Sequence, residues 1–170
     1  PANTLDEALE CLQRSCAADG TCPAGTIYYT VSTDRARTGP RQGIFRSAVD
    51  ALSKLGVQGA ALDGVLPKDK PDVAGAMVGA ASFSWKECGS RILPGTFCDH
   101  LTSFGGLMTG AGQTLLSEFI RHGAAGACGT VAEPYAIPGK FPSPFLHVYY
   151  ASGCSLAEAF YQSVRGPYQQ

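Results

Sequence analysis

The chain has 170 residues, 45% of them hydrophobic and 16% charged, with a formal net charge of -1. That length fits one domain with a sizeable core, and the apolar share argues against an intrinsically disordered chain. The near-neutral charge gives no basic field for nucleic acid, and no apolar run approaches the about 20 residues of a membrane-spanning helix.

Near the start, Thr4-Leu5-Asp6-Glu7 reads as a capping box, and Leu5, Ala8, Leu9 and Leu12 continue as a helical stripe. Thr26 to Val31 is β-branched and aromatic, which predicts a strand. Ser32 to Arg41 reads as a polar loop whose arginines, Arg35, Arg37 and Arg41, are surface charges. Ile44, Phe45, Ala48, Val49, Leu52 and Leu55 then recur at helical spacing, closed by Gly56. Val57 to Leu62 is a short strand, Gly64 to Asp72 a loop, and Val73 to Phe83 a small apolar run open to a short helix followed by a buried strand, a choice its period does not decide. Trp85 to Cys98 reads as a long loop. Gly110 and Gly112 open a helix carrying Leu115, Leu116, Phe119 and Ile120, and Gly123 ends it. Ala124 to Val131 is small and apolar, as in a central strand buried on both faces. Phe145 to Tyr150 is aromatic and apolar, with His147 read as a core histidine in a strand, and Ser155 to Glu158 is a second capping box opening the last helix.

Strands alternating with helices predict an α/β domain with a mostly parallel sheet and helices on both faces. Residues 1–25 form a cysteine-containing helical segment ahead of a core at 26–170. The start at Pro1 and the uncapped end at Gln170 suggest a piece of a larger α/β protein, such as one chain of a cut precursor. The expected partner is another protein chain or that missing half. Of the seven cysteines, Cys11, Cys16 and Cys22 cluster, Cys88 and Cys98 bracket one loop, and Cys128 and Cys154 sit in apolar surroundings. With no CxxC pair, one to three disulfides in a secreted or periplasmic protein is the economical reading, against buried free thiols in a reducing compartment.

Ligands of open parallel sheets bind at the carboxyl ends of strands, which directs attention to Asp99 through Tyr135. There His100, Ser103 and Glu133 are the candidate catalytic residues, and Asp99, Thr102, Gly105 and Gly106 the candidate binding residues. Ser103 or Thr102 would be a hydroxyl nucleophile, His100 or Glu133 its base, and the glycines would free N–H groups for an oxyanion. Asp99, His100 and Glu133 offer an alternative metal-ligand set. The glycine pairs lack the Gly-Lys-Ser/Thr ending of a phosphate loop, so no cofactor follows from the sequence.

The strings Leu93-Pro94-Gly95, Asp99 to Gly106 and Gly129 to Tyr135, with Lys140-Phe141-Pro142, resemble an uncharacterised family of exported bacterial proteins from about Thr26 onward. The sequence is more distantly similar to the caspase-hemoglobinase fold of gingipain-type cysteine peptidases. That resemblance implies a catalytic His after one strand and a catalytic Cys after the next. These positions fall at Ser82 to Trp85 and at Thr102-Ser103, where neither residue occurs. The resulting expectation is a peptidase-like domain without the dyad, acting as a binding or assembly module. A hydrolase and a metal-binding protein are its rivals.

Overall fold

The computed structural model describes residues 3–21, 24–110 and 112–166. They form an α/β fold in which five parallel strands lie in the order β2-β1-β3-β4-β5. The strands are β1 (Thr26–Val31), β2 (Gln58–Asp63), β3 (Val73–Gly79), β4 (Ile92–Leu101) and β5 (Gly126–Cys128). The α-helices are α1 (Leu5–Ala18), α2 (Arg35–Lys54), α3 (Ser117–Arg121), α4 (Phe145–Ala151) and α5 (Leu156–Ser163).

Successive strand residues point to opposite faces, so each strand feeds two cores. Ile27, Tyr29, Met77 and Phe97 pack with Phe45, Ala48 and Leu52 of α2, Leu146 of α4 and Ala159 of α5. On the other face Tyr28, Ala76, Val78 and Cys98 meet Trp85, Phe119 and Ile120, with Cys11 of α1 against their edge. Both-sided burial explains why β3 is apolar throughout and buried at every position.

Several sequence expectations are corrected. The supposed loop at Ser32 to Arg41 is mostly the start of α2, capped by Asp34, whose side chain accepts from the Arg37 N–H. Pro40, inside this helix, is what disguised it, since proline cannot donate to the helical ladder. Val73 to Gly79 is strand alone, with no preceding helix. The long loop before Asp99 is largely β4; Leu93 to Thr96 bulge out between Val73↔Ile92 and Gly75↔Phe97, with Gly95 at positive φ. The helix expected from Gly110 is only Ser117–Arg121. The central strand at Ala124 to Val131 is instead the three-residue β5 at the sheet edge. His147 lies in a helix, α4. The capping box at Ser155 and Glu158 forms as expected.

The expected disulfides are absent among the described cysteines. Cys11, Cys16, Cys88, Cys98, Cys128 and Cys154 are free, and Cys22 lies outside the described residues. Cys98 and Cys128 occupy neighbouring strands, yet their side chains enter opposite cores. Burial raises both thiols above their ordinary pKa and keeps them protonated. Among the described residues, no helix is long and apolar enough to cross a membrane.

Candidate functional site

From β1 the chain runs to β2 on one side, and β3 then falls on the other, so the sheet's switch point lies between β1 and β3. The carboxyl ends of strands beside such a point form a natural crevice. The first turn of α2 sits there, pressed on the end of β3 so closely that a Cβ on Gly79 would collide with the Arg37 carbonyl. Beside it is a cleft of ≈ 240 Å³ lined by Ala36 and Arg37 of α2, Leu101 at the end of β4 with Thr102 and Ser103 after it, Glu133, Pro134 and Ala136 after β5, and Phe141.

The lining side chains are held by short-range polar contacts. Arg37 Nε donates to Thr102 Oγ1 at 2.9 Å, and its Nη1 donates to Asp34 Oδ2 at 2.7 Å. The Thr102 hydroxyl donates to Gln113 Oε1 at 2.8 Å. Glu133 accepts from the Tyr135 N–H at 3.0 Å and shares the cleft with Ser103. The Ser103 hydroxyl is the first cause holding its carboxyl below the usual range, followed by the Tyr135 N–H; the attraction of Arg37 and Lys140 adds to these. The loop then takes two consecutive left-handed residues, Tyr135 (φ 55) and Ala136 (φ 54). Such non-glycine strain costs about 1–3 kcal/mol per residue and concentrates at functional sites.

Behind the cleft lies a buried charged cluster. The Arg41 guanidinium donates to Asp99 Oδ2, to the Val78 carbonyl at 3.2 Å and to the Pro142 carbonyl at 3.4 Å. It lies 6.0 Å from the ring of Phe141, a residue of the cleft wall. The Cys128 thiol donates to the other Asp99 oxygen at 2.9 Å. Arg41 and Asp99 are 3% and 1% exposed, so this pair is structural core rather than surface charge.

The structure therefore separates the candidate residues. Ser103 and Glu133 meet in the cleft, with Thr102 beside them. His100 does not join them. Adjacent strand residues alternate, so Asp99 faces Cys128 and Arg41 while His100 enters the opposite core, 4.8 Å from the Phe83 ring. Its Nε2 bonds the Ala80 carbonyl at 2.8 Å, which assigns the proton to Nε2; Nδ1 has no partner. Burial lowers its pKa to about 4, so the ring is neutral at physiological pH.

Of the glycine N–H groups expected to serve an oxyanion, that of Gly106 is engaged, as is the neighbouring Phe104 N–H. The Phe104 N–H donates to Gln113 Oε1 and the Gly106 N–H to the Thr130 carbonyl, each at 2.9 Å. Gly105 and Gly106 serve close backbone crossing instead: a Cβ on Gly106 would collide with the Gly129 carbonyl. Asp99 and His100 diverge from Glu133, and no group of three or more His, Cys, Asp or Glu side chains suited to a metal ion occurs among the described residues.

Arg37 and Arg41 were missed as site residues. The signal was present: stepping back from Leu52, Ala48 and Phe45 at the same helical spacing gives Arg41 and Thr38, and both are buried. No protein family, curated protein or solved structure matches the chain.

Proposed function

We propose that this chain is a binding domain of peptidase-like α/β architecture without the Cys/His dyad, and that it takes a peptide segment of a partner protein at the cleft. The observation that carries this reading is the pairing of Arg37 and Glu133 across one cleft: a guanidinium that donates and a carboxylate that accepts. A peptide backbone presents a carbonyl and an N–H and so suits that pair. The apolar wall of Pro134 and Phe141 suits a side chain beside it. The peptidase comparison is supported by placement: Ser82 to Trp85 follow β3 and Thr102-Ser103 follow the adjacent β4.

A hydrolase is the second reading, favoured by Ser103 and Glu133 lining the same cleft. Two measurements separate the readings. Capped dipeptides titrated against the full chain by heteronuclear NMR should shift cleft resonances, and Arg37→Ala or Glu133→Gln should abolish the shifts. A fluorophosphonate probe should leave the protein unlabelled. Labelling at Ser103 that disappears in Ser103→Ala would replace the binding reading with the hydrolase.

A further inference from the structure

Gln113 lies behind the cleft lining, yet one of its atoms sets the direction of the bonds that hold Arg37. Arginine only donates, so in the 2.9 Å contact between Arg37 Nε and Thr102 Oγ1 the hydroxyl oxygen accepts. The hydroxyl's own proton must leave on another side, and Gln113 Oε1 receives it at 2.8 Å. The same oxygen accepts the Phe104 N–H at 2.9 Å. A main-chain N–H cannot accept, so the amide oxygen of Gln113, not its nitrogen, faces this pair, and the orientation of the amide is fixed by its neighbours. Donation therefore runs one way, from Arg37 to Thr102 and from Thr102 to Gln113, with Phe104 as the second donor to that oxygen.

Burial makes this order matter. Thr102 is 1% exposed, so water does not replace Gln113 as the acceptor of its proton. A buried hydroxyl left without an acceptor is costly. It regains one by turning its side chain, which carries Oγ1 away from Arg37 Nε. With Nε held by Thr102 and one Nη1 proton by Asp34, the N–H groups left to a ligand are those on the Nη atoms. We propose that Gln113 is the positioning residue of the cleft: through the Thr102 hydroxyl it holds the Arg37 guanidinium so that the Nη groups are the ones offered to a bound peptide. That role rests on the peptide-binding reading, whereas the coupling of Gln113 to Arg37 is present without a ligand.

The test follows the Arg37 Nε–H resonance of the full, ligand-free chain by heteronuclear NMR, identified by its loss in Arg37→Lys. In Gln113→Met, similar in length but without the acceptor, this proton should exchange with water about tenfold faster, and capped-dipeptide binding should weaken about tenfold. Gln113→Glu keeps an oxygen acceptor and should retain both. Thr114→Val is the control for loop anchoring alone, because the Thr114 hydroxyl ties the same segment to the Phe83 N–H and carbonyl at 2.8 and 2.9 Å. It should leave the Arg37 proton unchanged. In Thr102→Val, where the link is cut, adding Gln113→Met should move neither readout further. An Arg37 proton unmoved by Gln113→Met overturns the proposal, as does an equal response to Thr114→Val, a loss that Gln113→Glu shares, or additive losses in the double variant. If Gln113→Met does not fold, Gln113→Glu decides: the Arg37 resonance should follow the titration of the introduced carboxylate with a step absent from the unaltered chain, and no such step overturns the proposal. An Arg37 proton that responds as expected in a chain that binds no dipeptide removes the peptide reading alone.

Discussion

Arg37 and Arg41 stand one helical turn apart on α2, yet one lines a cleft and the other is sealed in the core. Arg37 keeps partial contact with water and is held by Asp34 and Thr102. Arg41 has given up its hydration for Asp99, two backbone carbonyls and the face of Phe141. The difference shows that the polar residues at this end of the sheet belong to two sets. One set fixes the strand ends, and the other is available to a ligand.

The strongest way to break this division is to remove one member of the sealed pair. Asp99→Ala leaves the Arg41 charge buried without its carboxylate and leaves the Cys128 thiol only the Cys98 carbonyl at 4.0 Å. A loss of about 3–5 kcal/mol is expected by urea denaturation. Replacing both members, as in Asp99→Leu with Arg41→Met, should restore much of that loss, because no uncompensated charge then stays inside. If Asp99→Ala costs no more than a surface substitution, Arg41 is not sealed and the division fails.

The buried histidines sharpen the same point through pH. His100 and His147 each give an N–H to a backbone carbonyl, of Ala80 and of Phe97, and burial lowers each pKa to about 4. In the unfolded chain an imidazole takes its proton near pH 6.5. Between these values the unfolded state binds more protons, so stability must fall as pH falls from about 6.5 to about 4. The loss should be on the order of 3 kcal/mol per histidine by the bottom of that window. Denaturation curves across the window should report uptake of two protons, and His100→Gln should remove one of them. A flat profile would mean that the rings are reached by water.

A smaller effect is expected where the two site loops cross. Gly106→Ala would drive a methyl group into the Gly129 carbonyl, so one loop must shift. Overpacking of this kind costs about 1–3 kcal/mol. The accompanying NMR shifts should spread to Ser103 and Glu133, which hang from the two loops.

The division between sealed and available residues was only partly legible in the sequence. The α/β class, the strand at Thr26 to Val31 and the helix through Phe45, Ala48 and Leu52 follow from periodicity alone. The cleft's Ser103 and Glu133 follow from the strand-end rule. Arg41 was hidden because Pro40 broke the helical reading, although its spacing from Phe45 is that of a buried residue. The direction of His100 was hidden because the stretch leading to it, Trp85 to Cys98, has the composition of a loop. Once Pro94-Gly95 is understood as a bulge within β4, strand alternation alone sends these neighbours to opposite faces. Gln113 and Thr130 carry no local signal at all, since their partners at Thr102, Phe104 and Gly106 are distant in sequence.

The smallest stability change is expected at the residue on which the binding reading depends. Arg37 is about a quarter exposed and its pair with Asp34 is local, so Arg37→Ala should alter stability by no more than about 1 kcal/mol. The same change removes the guanidinium from the cleft and leaves Glu133 as its main charge, so capped-dipeptide binding should disappear. Arg37→Lys restores the charge but not the forked donor that bonds Thr102 and Asp34 together, and it should recover binding only in part. A variant that loses stability as heavily as Asp99→Ala would place Arg37 with Arg41 in the structural set. A variant that keeps both stability and dipeptide binding would leave the cleft without its donor role. Only a stable protein that no longer binds matches the division that one turn of α2 draws between its two arginines.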